Sequence, residues 1–227
     1  MAVAHSGEAN QTANFSGVNS FSITSQTSAG TNRIGVCHVG GFLGASGTTS
    51  ATWGGTAMTV TVLGAGGDAV MLHLVAPATA ASTVTVSNLN GATGQGAAST
   101  YTGADQSAGS GPNSNTGKAT ATAVSPVSVT VTTASGEMVV DSVGIEINGS
   151  PAAGANQVVI LNTTGSNSAD CLASYQLGAD GGVMTWTYTG SHYWESVAAS
   201  IKAAGGGGGG DTGWGLRLAG QRNRHIA

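Results

Sequence analysis

The chain has 227 residues, enough for one large domain or two small ones that bury roughly 70% of the unfolded surface. Only 7% of the residues are charged, against a usual ~25%, whereas 40% are hydrophobic, so the composition excludes a charge-rich disordered chain. Solubility must come from Ser, Thr, Asn and Gly, which is typical of all-β proteins and predicts little helix.

The net charge of −4 is unevenly placed along the chain. Residues 1–204 hold three basic and nine acidic side chains, giving −6, whereas residues 205–227 hold three arginines and one aspartate, giving +2. An acidic body without clustered basic residues predicts no nucleic-acid partner. The net charge of the C-terminal segment is opposite in sign to that of the body, which predicts that the segment docks onto an acidic protein surface, such as that of a neighbouring copy.

The N-terminal sequence "MAVAHSGEANQTANFSG" lacks the basic region and apolar core of a signal peptide. The longest apolar stretches, such as "AVMLHLVA", are far shorter than the ~20 residues that cross a bilayer. The sequence therefore predicts a soluble protein, made in the cytoplasm without export, that has no membrane partner.

Period-two alternation marks the predicted strands. In "AVMLHLVAP" both faces are apolar, which predicts a strand covered on two sides. The run "STVTVSN" turns Val84 and Val86 inward, and "VSVTVTT" does the same with Val127, Val129 and Val131, so both predict half-buried sandwich strands. Comparable runs are "SFSITS", "NRIGVCHVG", "TAMTVTVLG", "GEMVVDSVGI", "NQVVIL", "DCLASYQLG", "VMTWTYTG" and "HYWESVAASIKA".

Turn residues separate these strands. Gly54-Gly55 and the segment 180–182 (Asp-Gly-Gly) suit the positive φ values of tight turns, so each predicts a β-hairpin. The low-complexity stretch 102–119 predicts a long exposed loop. With about ten to twelve short strands, the predicted fold is an antiparallel β-sandwich of jelly-roll or immunoglobulin-like type, formed by two packed sheets.

The body of the protein is predicted to end at residue 204, after a strand with Tyr193, Val197, Ala199 and Ile201 on one side. Six glycines follow at 205–210, which span about 20 Å when extended and roughly 13 Å as a random coil. The remaining residues form a predicted assembly arm that would add as a strand to an exposed sheet edge. Its predicted partner-binding residues are Trp214, Leu216, Arg217, Leu218, Arg222 and Arg224. Packing against the chain's own domain, or a frayed end, are the alternatives.

Motifs for chemistry are scarce. The five histidines have no metal-ligand spacing, and His38 and His73 are predicted to be hydrogen-bonded within strands. The sequence holds no G-x-S-x-G motif and no P-loop lysine after its glycine run. Glu137 and Asp141 share a strand face but would lie near 13 Å apart, too far to flank one glycosidic bond. The sequence therefore predicts no catalytic residues, no metal and no cofactor.

Two residue sets leave alternatives open. Cys37 and Cys171 lie in strand-like runs and predict reduced core thiols, with a disulfide as the alternative. Six aromatic residues either belong to the core, as expected for Trp186 and Tyr188 beside Met184, or form a platform that stacks on sugars. They are Trp53, Trp186, Trp194, Tyr101, Tyr188 and Tyr193.

The succession "NRIGVCHVGG", "ATWGGTAMTV", "MLHLVAPATAASTVTVS", "YTGADQ", "ASGEMVVDSVG", "AGANQ" and "VAASIKAA" resembles an all-β module of tailed-phage virion proteins and bacterial surface proteins. The resemblance covers roughly residues 18–204 and contains no catalytic motif. A single module without a leader, followed by a glycine-linked arm, favours the virion over the bacterial surface. The resemblance thus implies a non-enzymatic structural protein, expected to be a capsid decoration or cement protein present in many copies.

The expected partners are the major capsid protein or neighbouring copies of the chain itself. The alternative is a tail or head fibre, or an adhesin module, that binds host cell-surface glycans through aromatic residues.

Overall fold

A computed structural model of the chain describes residues 2–6, 11–43, 49–107, 115–122, 125–146, 151–162 and 169–205. These residues form sixteen strands and one 3-10 turn, Gly178–Asp180. The strands are β1 (Ala4–His5), β2 (Gln11–Gln26), β3 (Ile34–Phe42), β4 (Ser50–Trp53), β5 (Thr56–Ala57), β6 (Thr59–Leu63), β7 (Ala69–Val75), β8 (Ser82–Thr102), β9 (Thr116–Thr122), β10 (Val127–Thr130), β11 (Met138–Ile145), β12 (Ala152–Ala153), β13 (Val158–Asn162), β14 (Asp170–Leu177), β15 (Val183–Thr187) and β16 (Tyr193–Ile201). Within these ranges no helix is long and apolar enough to span a membrane.

The strands assemble into three sheets in which all strand pairs are antiparallel. The first sheet has the order β5-β4-β8-β3-β7-β6, and β1 and β2 also pair with β8. The second sheet has the order β13-β14-β11-β16-β9, and the third has the order β10-β15-β12. The predicted all-β antiparallel sandwich is therefore confirmed, although three sheets are present where two were expected.

β8 is 21 residues long and is shared by two parts of the first sheet. Near its start β8 lies between β2 and β4, whereas beyond Thr93 it pairs with β3. The two parts of the sheet enclose one apolar core. Trp53 and Val84 contribute to this core from one part, and Cys37 and Leu72 contribute from the other.

The second sheet is covered on both faces, which explains why all eight residues of β11 are buried. Alternate strand residues point to opposite faces. Met138 and Val140 pack with residues of the first sheet, such as Ile34. Val143 packs with Trp186 of the third sheet. The core is thus divided among layers, and β11 contributes to the layers on both of its sides.

The predicted strand faces agree with the structure. β7 is buried through its first five residues, as its two apolar faces indicate. Val84 and Val86 are fully buried while Thr83 is exposed, and the three valines of "VSVTVTT" are all buried. Both half-buried strands and the doubly covered strand are therefore confirmed.

The first predicted hairpin is confirmed and the second is wrong. Trp53 pairs with Thr56 across Gly54-Gly55, whose φ values are +55° and +83°. The segment 180–182 instead connects β14 of the second sheet to β15 of the third sheet. Gly181 has the expected positive φ of +92°, but that local conformation reverses the chain without deciding which strands form hydrogen bonds.

The long loop predicted at 102–119 is partly wrong, because β9 begins at Thr116 and pairs with β16. Residues 108–114 of that stretch lie outside the described residues. A Cβ atom on Gly117 would lie only 2.3 Å from the carbonyl oxygen of Thr130. The small residues that suggest a loop in the sequence therefore permit close packing of a strand.

Trp53 packs directly over Gly35 of β3, within the core of the first sheet. The indole is almost entirely buried, and a Cβ atom at position 35 would lie 2.6 Å from its Cζ3 atom. The β3 backbone and the Trp53 ring can therefore pack this closely only because residue 35 has no side chain.

We predict that Gly35→Ala lowers the free energy of unfolding by about 1–3 kcal/mol, because the added methyl group must displace the Trp53 ring. Urea denaturation followed by tryptophan fluorescence measures this loss. The control is Gly205→Ala, where nothing lies within 4 Å of the added Cβ atom. Equal stability of the two variants would contradict the packing described for Trp53.

Candidate functional site

A buried polar cluster around His38 lies between the first and second sheets. The Nδ1 atom of His38 lies 2.8 Å from Ser142 Oγ and 3.0 Å from the Asp141 carbonyl oxygen. Its Nε2 atom lies 3.0 Å from Ser99 Oγ, which donates to the hydroxyl of Tyr101. Burial lowers the pKa of His38 to about 4, so the ring is neutral at physiological pH.

The carboxylate of Asp141 lies on the other face of β11, toward the third sheet. Its Oδ1 atom accepts hydrogen bonds from the amide and hydroxyl of Ser174, and its Oδ2 atom accepts one from Trp186 Nε1 at 2.8 Å. Burial raises the pKa of Asp141 to about 6, while these hydrogen bonds act in the opposite direction. Asp141 thus connects the second sheet to the third.

These serine, histidine and aspartate residues act as structural ties between sheets. All four side chains are fully buried: His38, Ser99, Ser142 and Asp141. The Asp141 carboxylate points away from His38 toward Trp186. The predicted role of His38 as a hydrogen-bonded strand residue is confirmed. His73 is confirmed likewise, because its Nδ1 atom lies 2.8 Å from Thr61 Oγ1.

Glu195 of β16 holds the connection between β6 and β7 against the second sheet. Its Oε1 atom accepts a hydrogen bond from Gly66 N at 2.5 Å, and its Oε2 atom accepts bonds from the amides of Asp68 and Ala69. A Cβ atom on Gly64 would lie 2.2 Å from the Glu195 carboxyl group. The buried carboxylate is therefore stabilised by backbone amides at a point where a glycine lets the chain approach closely.

A shallow pocket lies next to this connection. It encloses only about 10 Å³ and is lined by Gly41, Asp68, Gly144, Ile145, Glu146 and Tyr193. This is less than the roughly 300–1,000 Å³ typical of small-molecule sites. The half-buried Tyr193 and the exposed Glu146 offer one aromatic ring and one carboxylate to a small polar ligand. Across the described ranges, no group of three or more His, Cys, Asp or Glu residues is arranged to hold a metal ion.

Most of the aromatic residues considered for a sugar platform belong to the core. Tyr193 is half-buried, whereas the other five are buried: Trp53, Trp186, Trp194, Tyr101 and Tyr188. The core position predicted for Trp186 and Tyr188 is confirmed, and a platform of all six residues is wrong. The rings occupy inward strand positions, where the hydrophobic effect outweighs their value as exposed contacts.

The two cysteines are free thiols, each fully buried. Burial raises the pKa of Cys37 to about 12 and raises that of Cys171 as well. The prediction of reduced core thiols is confirmed, and the alternative of a disulfide is wrong.

The predicted partner-binding residues Trp214, Leu216, Arg217, Leu218, Arg222 and Arg224 lie outside the described residues. Their role remains a prediction from the sequence.

Exposed apolar side chains gather around β13, a feature that the sequence did not indicate. Val158 and Val159 of β13 are 49% and 43% exposed on opposite sides of the strand, and Leu177 at the end of the neighbouring β14 is 53% exposed. We call these three residues the β13 patch. The consecutive apolar run "VVIL" predicted a strand, but its position at the edge of a sheet depends on tertiary pairing.

Searches against protein-family models, curated proteins and solved structures found no match to this chain.

Two buried titratable groups, Asp141 of β11 and His38 of the neighbouring β3, have opposing pH dependences. Asp141 has a pKa of about 6 when folded against 3.8 in a free chain, so its contribution to stability is lost as the pH rises through about 4 to 6. His38 has a pKa of about 4 when folded against 6.5, so its contribution is present above about pH 6.5 and is lost as the pH falls toward 4.

We predict that removing either group exposes the pH dependence of the other. Between pH 7 and pH 4, Asp141→Asn should lose about 3 kcal/mol more unfolding free energy than wild type, and His38→Gln about 3 kcal/mol less. Urea denaturation at both pH values measures the difference within each variant, which removes any constant effect of the substitution. Parallel pH profiles for wild type and both variants would contradict these assignments.

Proposed function

We propose that this chain is a non-enzymatic structural protein of a tailed-phage virion, acting as a capsid decoration or cement protein. In this proposal the β-sandwich body sits on the shell, and residues 211–227 attach it to the major capsid protein or to a neighbouring copy. The assignment to a virion rests on the resemblance of the sequence to a module of tailed-phage virion proteins. The mode of attachment is supported by features of the structure.

The observation that carries the proposal is that the backbone is hydrogen-bonded to the body up to residue 204, just before the glycine run. Ala203 forms a β-bridge with Ala104, and Ala204 N donates to the carbonyl oxygen of Gly103 at 2.7 Å. Lys202 accepts a backbone hydrogen bond from Asp105 and also forms an ion pair with its carboxylate. The backbone is thus bound to the body through residue 204, and the glycines separate this closed body from the arm.

The arm has the composition of a contact segment. Burial of Trp214, Leu216 and Leu218 contributes on the order of 5 kcal/mol before the cost of ordering the chain. That cost makes a single contact weak. On a symmetric shell many copies bind together, so effective concentration compensates for the weak individual contact.

Three carboxylates of the body are used for structure, which fits a scaffold role. Asp141 and Glu195 are buried and bound to amides, a hydroxyl and an indole. Glu137 accepts hydrogen bonds from Thr133 and from the amide of Ala134 in a turn. Each of these three groups stabilises a different part of the fold.

We predict that deletion of residues 205–227 releases the protein from particles, because the tethered apolar contacts are lost. The measurement is the copy number per purified particle, by quantitative mass spectrometry and electron microscopy, with circular dichroism to verify that the body stays folded.

The control replaces the glycines at 206–210 with a serine-glycine linker of equal length, which should preserve the copy number because the arm is retained. An unchanged copy number after the deletion would refute attachment through the arm.

A second candidate function is glycan binding at the pocket beside Tyr193, as in a fibre or adhesin module. The half-buried Tyr193 ring stands next to Asp68 and Glu146, and a tyrosine face with carboxylate acceptors suits a sugar.

If this function holds, monosaccharide titration followed by NMR shifts should show millimolar binding that Tyr193→Ala abolishes. Tyr175→Ala is the matched control, because Tyr175 is also half-buried but does not line the pocket. The absence of saturable shifts across a monosaccharide panel would exclude this candidate.

A further inference from the structure

β13 is an edge strand with the features of an acceptor for another strand. Among the described residues it pairs with β14 alone, through Val158, Val159, Leu161 and Asn162. Its sequence, "VVILN", contains no charge and no proline. Natural edge strands are usually protected by such residues, so an unprotected apolar edge indicates a site of strand addition.

Two other edge strands, β2 and β9, fit the arm less well. β2 has three register shifts along its pairing with β8, and these interrupt a regular ladder. β9 carries the exposed Lys118, whose charge would repel an arm with three arginines. β13 has one register shift and no basic side chain.

The side chains around β13 match the pattern of the arm. Val158 lies opposite Tyr175, and Leu177 is two residues further along β14, so these three share one face. In an extended segment "WGLRL", Trp214, Leu216 and Leu218 also share one face, and Arg217 points to the other. An added strand can therefore place its apolar side chains beside Val158 and Leu177, with Arg217 on the side of Val159.

The length of the glycine linker decides which copy supplies the strand. All strand pairs among the described residues are antiparallel, and an antiparallel strand on β13 would have to start beside Leu161. That point lies four strand spacings across and four residues along from Ile201, and Ala204, the last residue bound to the body, lies three residues further away along the chain. The separation from Ala204 is therefore about 30 Å, whereas the seven residue steps from Ala204 to residue 211 span at most about 25 Å. The chain's own arm does not reach this starting point from residue 211, but the arm of a neighbour has no such limit.

We propose that β13 of one copy binds residues 211–218 of a second copy as an added antiparallel strand. This inference rests on the proposed function, because it names the surface that receives the arm. Two copies that exchange arms in this way form a closed dimer, and exchange around a ring of copies links neighbours on a shell.

The test uses the full-length chain in sedimentation velocity over a wide concentration range. Wild type should self-associate, and Val159→Lys should weaken the association about tenfold or more, because a lysine on this edge repels Arg217. Combining Val159→Lys with Arg217→Glu should restore association, since the two side chains then have opposite charges.

Val60→Lys is the matched control, because Val60 is 45% exposed on β6, the edge strand of a different sheet. It should leave association unchanged. Hydrogen exchange supplies a second readout: amides of residues 158–161 should be protected in wild type at high concentration and should lose protection in Trp214→Ala.

A wild-type chain that stays monomeric at all concentrations would overturn the inference, including the case in which the β13 amides are protected by the chain's own arm. Association that is equally sensitive to Val60→Lys and Val159→Lys would also overturn it. These outcomes leave attachment to particles through residues 205–227 intact, since the particle copy number tests that function separately.

Discussion

The structure depends on the burial of both faces of β11. A strand in this position has no side chain in contact with solvent, so its one acid, Asp141, needs hydrogen bonds from neighbouring residues. The amide and hydroxyl of Ser174 and the indole of Trp186 donate these bonds. The backbone of the same residue binds His38 from the opposite sheet. Packing and polar satisfaction therefore reinforce each other at one residue, where three sheets are held together.

The same constraint explains how a body with so few charges keeps its layers in register. Apolar packing alone lacks direction, whereas a buried hydrogen bond requires one arrangement of its partners. Glu195 fixes the β6–β7 connection through three backbone amides, and Asp68 in that connection accepts a hydrogen bond from Leu43 N. A few buried carboxylates thus position long connections between sheets.

The features of this layered body that a partner can contact lie at its surface. Within the described residues the interior is filled by side chains, and two surface features are open to a partner, the shallow pocket beside Tyr193 and the β13 patch. Strand edges and short surface recesses suit recognition of a protein chain or a small polar ligand. The proposed exchange of arms between copies uses the edge and the arm together.

The sequence by itself determined the all-β class, the faces of the strands at Val84, Val86 and Val127, and the Gly54-Gly55 hairpin, because period-two alternation and turn geometry are local properties. Only the tertiary structure decided that the segment 180–182 connects different sheets, that the small residues from Thr116 onward form β9, and that Val158 lies on an edge. Strand partners are chosen by packing between residues far apart in the chain, and no local pattern encodes that choice.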